Sequence, residues 1–339
     1  MVRHDASYNA VVMMTSLDAV AVSALKNYDF SPNTAVTLTN VSENVTYRVD
    51  DRGTGRSAAL RIHRLNYHSK AAIESELCWM DALREDGVVA PPRPMTTRDG
   101  ARIVTVDDDR GLARHVVLFE WLPGHTPTVE GDLVPSFRVL GTLAAKMHSH
   151  GSMWQPPASF DRYTCNYNTA LGLKAMWGRW QEGLGIGRSE RKLLSRLDTE
   201  VGKRLVGYGA GRDRFGLAHN DLRLANLLVD GDHIHVIDFD DCGYSWYMYD
   251  FAASVSFIED DTRVPDWMSA WLDGYTSHRP LSKVDIEIIP TLIMFRRLLL
   301  VGWVGSRHEY ADEAAKLGTG FTSVTCDLAE AYLTGVYLM

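Results

Sequence analysis

A short stretch in the C-terminal half carries the residue types that phosphoryl transfer requires. It reads His-Asn-Asp-Leu-Arg-Leu-Ala-Asn over residues 219–226, and Ile-Asp-Phe-Asp follows over residues 237–240. A carboxylate such as Asp221 can orient an attacking hydroxyl group and accept its proton. An amide (Asn226) and a second carboxylate (Asp238) supply the oxygen ligands that Mg²⁺ prefers when it also binds phosphates. The pattern therefore indicates metal-dependent transfer of a phosphoryl group to a hydroxyl.

A β-hairpin is predicted between the two candidate metal ligands. Residues 227–229 and 234–237 are short apolar runs, and the segment between them contains Asp-Gly. Asp-Gly between β-prone runs is a strong hairpin signal. The hairpin would bring Asn226 at its entry next to Asp238 at its exit, although the two stand twelve positions apart.

These residues resemble the catalytic loop and the metal-binding segment of the kinase-like phosphotransferases. The chain is identified as a member of the aminoglycoside phosphotransferase and choline kinase superfamily, and it also resembles the bacterial stress-response kinases and the type II homoserine kinases. The resemblance implies an α+β, bilobal protein-kinase-like fold, with a small β-rich N-lobe and a larger, mainly helical C-lobe. It also implies ATP as the phosphoryl donor and Mg²⁺ as the metal. Arg223 lies where related kinases place a cation that stabilises the transferring phosphate.

The rest of the sequence provides elements for two lobes. Apolar residues at helical spacing follow Thr15-Ser16, which can cap a first amphipathic helix. Strands are predicted over residues 36–38, 46–49, 58–62, 102–106 and 115–120, and helices over residues 71–83 and 137–148. Pro123-Gly124 supplies a break in the chain. We therefore predict an N-lobe over residues 1–121 and a C-lobe over residues 122–339.

The resemblance also assigns nucleotide-binding residues to the N-lobe. Glu120 and Leu122 belong to the segment whose backbone holds adenine in related enzymes. Arg61 stands where these kinases usually have a phosphate-binding lysine, and Glu76 stands where the partner glutamate of that lysine is expected. An arginine keeps the positive charge and binds phosphate bidentately, but it is longer and flatter than a lysine.

The loop that would cover the phosphates contains no glycine. It reads Asn-Val-Ser-Glu-Asn over residues 40–44, so the Gly-x-Gly-x-x-Gly pattern is missing. Ser42 and Asn44 are candidates to bind phosphate oxygens through side chains or backbone N–H groups. Ordinary turn formation is the alternative explanation for both residues.

Composition limits the partners of the protein. A chain of 339 residues with 45% hydrophobic content can bury the cores of two lobes. The net charge of −8, with scattered basic residues, argues against nucleic acid as a partner. A cationic or neutral acceptor is easier to accommodate. The acidic residues considered for binding an amine are Asp240, Asp241, Glu259, Asp260 and Asp261, and the aromatic ones are Trp246, Tyr247, Tyr249, Trp267, Trp271 and Trp303.

The sequence also predicts a cytoplasmic protein without a membrane span. The four cysteines are far apart and form no Cys-x-x-Cys motif. Residues 1–5 lack the features of an export signal, and the most apolar helical segment, residues 290–304, is interrupted by Arg296 and Arg297.

Three functions remain open at this point. The first is a kinase for a small hydroxyl-bearing molecule, such as an amino alcohol, an aminoglycoside or a homoserine-like compound. The second is a protein Ser/Thr kinase of the stress-response type, although Asp240 replaces the glycine of Asp-Phe-Gly and no Ala-Pro-Glu follows. The third is a nucleotide-binding regulator without turnover, which the arginine at position 61 and the glycine-free loop would suit.

Overall fold

A computed structural model of the chain describes residues 16–338, apart from positions 129 and 232. The predictions about residues 1–5 and about a cap at Thr15 therefore concern positions outside the described residues. The N-terminal elements are α1 (Ser16–Leu25), β1 (Thr34–Val41), β2 (Val45–Asp51), β3 (Arg56–Ile62), α2 (Lys70–Glu85), β4 (Ile103–Asp107) and β5 (Ala113–Glu120). Each of the strands and helices predicted before residue 121 is present.

The five strands form one antiparallel sheet in the order β1-β2-β3-β5-β4. Side chains of a strand alternate between two faces, and β2 shows this directly, since Val45, Tyr47 and Val49 are buried while the residues between them are partly exposed. These three residues pack with the apolar side of α1. Helix α2 belongs to a second core that it shares with the C-lobe. The sheet is thereby covered by a helix on each face.

The remainder of the chain is mainly helical. Its elements are α3 (Val134–Met153), α4 (Tyr167–Leu171), α5 (Arg188–Tyr208), β6 (Phe215–Ala218), β7 (Leu227–Asp230), β8 (His233–Val236), β9 (Gly243–Trp246), α6 (Tyr249–Ser254), α7 (Val264–Thr276), α8 (Lys283–Glu287), α9 (Ile289–Arg307) and α10 (Asp312–Thr334). Strand β6 pairs with β9, and β7 pairs with β8. This architecture confirms the predicted α+β fold with a β-rich N-lobe and a helical C-lobe. The division after residue 121 stays a prediction.

Helix α9 lies in the core of the C-lobe. The stretch Lys283–Arg307 is long and apolar enough to cross a membrane, but 89% of its most apolar part is buried inside the protein. Arg296 and Arg297 do not interrupt this stretch, because both lie within a continuous helix. A buried charge is tolerated when it is paired. Accordingly, Arg296 lies 2.5 Å from Asp221, and Arg297 lies 2.5 Å from Glu259.

Candidate active site

The predicted hairpin is confirmed. Strands β7 and β8 pair with Leu227 opposite Val236, and the Ile237 N–H donates to the Asn226 carbonyl at 3.0 Å. The turn contains Gly231, whose φ of 58° is readily adopted by glycine. The neighbouring Asp232 lies outside the described residues. Because pairing continues to Ile237, the side chains of residues 226 and 238 emerge at the same end of the hairpin.

The carboxylate of Asp221 is held from both sides, by its own loop over residues 219–226 and by Arg296 on α9. Asn226 Nδ2 donates to Asp221 Oδ2 at 2.8 Å, and Arg223 Nε donates to the same oxygen at 3.3 Å. Arg296 Nη2 donates to the other oxygen, Oδ1, at 2.5 Å. Arg296 also donates to the carbonyl of Asn220 at 2.9 Å. The carboxylate is therefore fixed in one orientation, and Arg296 is a site residue that the sequence reading missed.

The backbone of this loop is anchored by Asp250 from α6. Its carboxylate accepts from the N–H groups of His219 at 3.3 Å and Asn220 at 2.7 Å, and from His148 Nε2 at 2.9 Å. Burial alone would raise the pKa of Asp250, but hydrogen bonds from His148 and the loop keep it below its ordinary value. His219 supports the loop as well, since its Nε2 lies 3.2 Å from the Ile237 carbonyl. Both residues therefore support the loop.

Asp238 and Asn226 present a donor set that suits a hard divalent cation. Asp238 adopts a left-handed conformation with φ 61°, and its side chain is 45% exposed towards the cavity. Such a conformation is costly for a residue with a Cβ and is often found at functional sites. Because the amide nitrogen of Asn226 is used by Asp221, its amide oxygen points elsewhere and is available as a ligand. One carboxylate and one amide oxygen match the few protein ligands that Mg²⁺ takes beside phosphates.

Arg61 and Glu76 form the predicted ion pair. Arg61 Nη2 lies 2.6 Å and 2.7 Å from the two oxygens of Glu76, and Arg61 Nη1 lies 3.4 Å from Asp238 Oδ1. Burial raises the pKa of Glu76 to about 7, and Arg61 opposes that shift. The planar fork of an arginine can serve both carboxylates at once, which the single ammonium of a lysine would do less well.

The β1–β2 loop, residues 42–44, is fastened to the C-lobe through Glu43. Glu43 Oε1 accepts from Trp303 Nε1 at 2.8 Å and from Arg307 Nε at 2.8 Å. Its other oxygen accepts from Arg64 Nη1 at 2.6 Å. Both Trp303 and Arg307 belong to α9, so the loop that would cover the phosphates is bound directly to the central helix of the other lobe.

Asn44 ties the same loop to the segment after the hairpin. Its amide nitrogen donates to Asp240 Oδ2 at 2.8 Å, and its amide oxygen accepts from the Arg64 N–H at 3.2 Å. Asn44 would have to give up one of these bonds to reach a phosphate through its side chain. Ser42 also lines the cavity below the loop.

All of the predicted site residues line a single cavity of about 340 Å³. This volume is in the range of small-molecule sites. The predicted residues at its wall are Ser42, Asn44, Arg61, Glu76, Glu120, Leu122, Asp221, Arg223, Asn226 and Asp238. Residues at the wall that the sequence did not single out include Glu43, Trp177, Phe257, Arg296 and Glu313. The structure thus brings together groups from both lobes.

The residues considered for binding an amine separate into two groups. Asp240, Asp241 and Trp303 line the cavity. Glu259 is buried in its ion pair with Arg297 and does not reach the cavity, and Asp261 is paired with Arg263. The remaining aromatic candidates belong to the hydrophobic core of the C-lobe: Trp246, Tyr247, Tyr249, Trp267 and Trp271.

The two-lobed fold and the groups that converge in its cavity define a kinase-like phosphotransferase. Residues 34–281 match the family described as the phosphotransferase enzyme family, and the chain belongs to this family. The resemblance found in the sequence is thereby confirmed.

Several known kinases resemble the chain over most of its length. A solved structure of a microcompartment-associated aminopropanol kinase is 44% identical, with a TM-score of 0.86 over 95% of this chain and 99% of that chain. The amicoumacin kinase of Bacillus subtilis (strain 168) is 22% identical over 295 residues, which cover 84% of each chain. A structure of amicoumacin kinase hAmiN with AMP-PNP, Ca²⁺ and Ami shares the fold, with a TM-score of 0.75 at 22% identity over 91% of this chain and 93% of that chain. The chain is accordingly an enzyme of the kinase class, whose acceptor group is a hydroxyl.

Proposed function

We propose that this enzyme transfers the γ-phosphoryl group of Mg-ATP to a hydroxyl of a small molecule in the cytoplasm. The observation that carries the proposal is the convergence of Asp221, Asn226 and Asp238 at one end of the β7–β8 hairpin. These are the base, amide and carboxylate that in-line phosphoryl transfer needs. The described cysteines are free, which suits a reducing compartment.

Each group has a role that follows from its position. Asp221 receives the proton of the acceptor hydroxyl, and Arg296 and Asn226 hold its carboxylate in place. Bound Mg²⁺, held by Asn226 and Asp238, would neutralise charge on the phosphates. Arg223 places a second guanidinium beside Asp221, where it can stabilise charge on the transferring group. Catalysis then depends on positioning and on charge neutralisation, without a phosphorylated enzyme intermediate.

The opposite end of the cavity would hold the nucleotide. We assign adenine to the backbone of Glu120 and Leu122, and the α- and β-phosphates to Arg61, with Ser42 and Asn44 above them. The ion pair with Glu76 fixes the guanidinium of Arg61 close to Asp238.

A small acceptor fits this enzyme better than a protein does. Ten residues separate Asp238 from α6, and they are occupied by a short turn and by β9, which pairs with β6. This segment is therefore part of the folded core, which leaves no activation loop to bind a peptide. The similarity to an aminopropanol kinase favours an amino alcohol among the small acceptors.

The test begins with thermal unfolding of the purified protein with ATP or ADP, with and without Mg²⁺. A ligand at a hundred times its dissociation constant stabilises a fold by about 2.7 kcal/mol. We expect a Mg²⁺-dependent rise in Tm with ATP, followed by ADP release when small amino alcohols, aminoglycosides or homoserine are added. A clear rise in Tm without ADP release for any of these acceptors would favour a nucleotide-binding regulator instead.

A further inference from the structure

Asp241 differs from the other carboxylates at the wall of the cavity. Within the described residues, each of the others has a Lys, Arg or His nitrogen within 4.0 Å, whereas Asp241 has none. The charged pairs are Asp221 with Arg296, Asp238 and Glu76 with Arg61, Glu43 with Arg307, Glu120 with Arg84, and Glu313 with Arg223. Asp240 lies 3.4 Å from His63, whose pKa burial lowers to about 4. Asp241 is only 9% exposed, so it is a buried carboxyl group without a cationic neighbour in ion-pair distance.

The hydrogen bonds that Asp241 does receive come from neutral groups. Tyr67 OH donates to Asp241 Oδ1 at 2.5 Å, and Trp177 Nε1 donates to the Tyr67 oxygen at 2.7 Å. An indole N–H can only donate, so the Tyr67 oxygen is the acceptor in the bond from Trp177. The hydroxyl hydrogen of Tyr67 is then donated to Asp241. In the described part of the protein, Oδ2 of Asp241 accepts no hydrogen bond. One oxygen is therefore oriented by the protein, and the other is left for a ligand.

The electrostatic surroundings favour a cation at this position. Burial and the nearby charges of Asp221 and Asp240 raise the pKa of Asp241 well above its usual range. A positive group in contact with Asp241 would offset both effects, since it supplies a countercharge to a carboxyl group that is largely buried.

Trp177 connects Asp241 to the proposed base. The Arg296 guanidinium lies over the Trp177 ring, 5.4 Å from its centroid, and Arg296 is bonded to Asp221. The N–H group of the same indole donates to the hydroxyl oxygen of Tyr67, and this hydroxyl donates to Asp241. Both carboxylates are thus held by one connected set of side chains, and both line the same cavity.

We propose that Asp241 binds the ammonium group of the acceptor, and that the acceptor is an amino alcohol whose nitrogen carries at least one hydrogen. This inference rests on the proposed function, because it places the reacting hydroxyl at Asp221. Asp241 Oδ2 needs a hydrogen-bond donor, which a primary or secondary ammonium supplies and a quaternary ammonium does not. Trp177, Phe257 and Trp303 also line the cavity, and Arg296 and Arg223 already lie over the rings of Trp177 and Phe257.

The first test compares acceptors that differ only at the amine. ADP release is measured with 1-amino-2-propanol, with its N,N,N-trimethyl analogue and with 2-butanol, in which a methyl group replaces the amine. We expect kcat/KM for the amino alcohol to exceed that for 2-butanol by about 10²-fold or more, which is the scale of a buried charge pair. The kcat/KM for the quaternary analogue should also be at least about tenfold lower than that for the amino alcohol. Equal values for the amino alcohol and 2-butanol would overturn the assignment of the ammonium to Asp241.

The second test uses the Asp241→Asn variant, with Asp260→Asn as its control because Asp260 is exposed. Asp241→Asn should lower kcat/KM for the amino alcohol by about 10²-fold while the Tm shift with Mg-ATP is unchanged. It should also abolish the preference for the amino alcohol over 2-butanol. A variant that binds Mg-ATP and keeps the preference would contradict the proposal. If the variant does not fold, the comparison of acceptors on the unmodified enzyme tests whether the site binds an ammonium group.

Failure of the proposed function has a different signature. If no acceptor of any kind causes ADP release, although Mg-ATP raises Tm, then phosphoryl transfer itself is wrong and the acceptor assignment falls with it. Turnover of neutral and amine-bearing alcohols at equal rates would leave the kinase function intact and remove only the role of Asp241.

Discussion

Arg296 on helix α9 lies 2.5 Å from Asp221, although the two residues are 75 positions apart in the chain. The guanidinium also donates to Ser256 Oγ at 2.8 Å and to Tyr249 OH at 3.0 Å. Its position is therefore determined by several neighbours at once. A carboxylate held by such a group cannot rotate freely, which is what in-line transfer to a hydroxyl requires.

We expect Asp221→Asn to lower kcat by about 10²-fold or more, because an amide of the same shape cannot accept the proton of the acceptor. The KM for ATP should change little, since the phosphate-binding groups are untouched. Steady-state ADP release measures both constants. Asp327→Asn, at an exposed position on α10, is the control. A kcat near that of the unmodified enzyme would exclude Asp221 as the base.

Arg296→Lys should lower kcat by about tenfold or more, because a single ammonium cannot maintain the bonds to Asp221, Ser256 and Tyr249 together. The matched control is Arg297→Lys, since Arg297 is equally buried but pairs with Glu259 outside the cavity. That control should lower the free energy of unfolding and leave kcat close to normal. If the two variants lose kcat to the same extent, Arg296 has only a structural role.

Asp238→Asn should weaken the dependence of nucleotide binding on Mg²⁺, because it removes the one carboxylate of the proposed metal site. The measurement is Tm with ATP across a Mg²⁺ titration. The unmodified enzyme should show a further rise in Tm as Mg²⁺ is added, and the variant should show little of it. An unchanged titration would mean that the metal is held elsewhere.

Glu43→Gln should loosen the β1–β2 loop, since an amide can no longer form charged pairs with Arg64 and Arg307. We expect the KM for ATP to rise several-fold and backbone hydrogen exchange in residues 42–44 to accelerate. Glu309→Gln changes an exposed glutamate next to α9 and serves as the control. Unchanged exchange in the loop would show that Glu43 does not hold it.

His63 and His68 should each contribute a loss of stability as pH falls from 6.5 towards 4, and the raised pKa values of Glu76 and Asp241 act in the opposite direction. Burial lowers the pKa of His63 and His68 to about 4, so both are neutral in the folded protein, whereas the unfolded chain binds protons near pH 6.5. The unfolded state then holds more protons within this window and is favoured by roughly 1.4 kcal/mol per pH unit for each histidine. Urea unfolding at pH 7.5 and 5.5 measures the effect.

Replacing both histidines by asparagine should flatten this pH dependence, even if the double variant is less stable at every pH. His278→Asn is the control, because His278 is exposed. If the free energy of unfolding changes by the same amount between pH 7.5 and 5.5 in the unmodified protein and in the double variant, the two histidines are not buried in their neutral form.

Parts of the site that are formed by residues close together in the sequence could be predicted. Asp-Gly between two apolar runs indicates the hairpin, and the hairpin alone brings Asn226 next to Asp238. The Arg61–Glu76 pair was expected from the family resemblance, which assigns the positions of the phosphate-binding cation and of its partner glutamate. The first inference depends on a local pattern, and the second depends on the resemblance.

The contacts that cross the fold could not be predicted. Arg296 looked like an interruption of an apolar segment, because hydropathy does not show that a carboxylate 75 residues away neutralises it. Trp177 donates to Tyr67 across 110 positions, and no periodicity connects them. Asp241 and Glu259 looked alike in the sequence, yet one faces the cavity without a cation and the other is paired with Arg297.

Helix α9 contacts both Asp221 and the β1–β2 loop. Arg296, Trp303 and Arg307 are separated by seven and four residues, which places them along one side of the helix over about 16 Å. Arg296 contacts Asp221, the proposed base, and the other two bind Glu43 in the β1–β2 loop, which we propose lies above the phosphates. A displacement of this loop would therefore act on the same helix that contacts Asp221. The proposed phosphate end and acceptor end of the cavity thus depend on the position of a single helix.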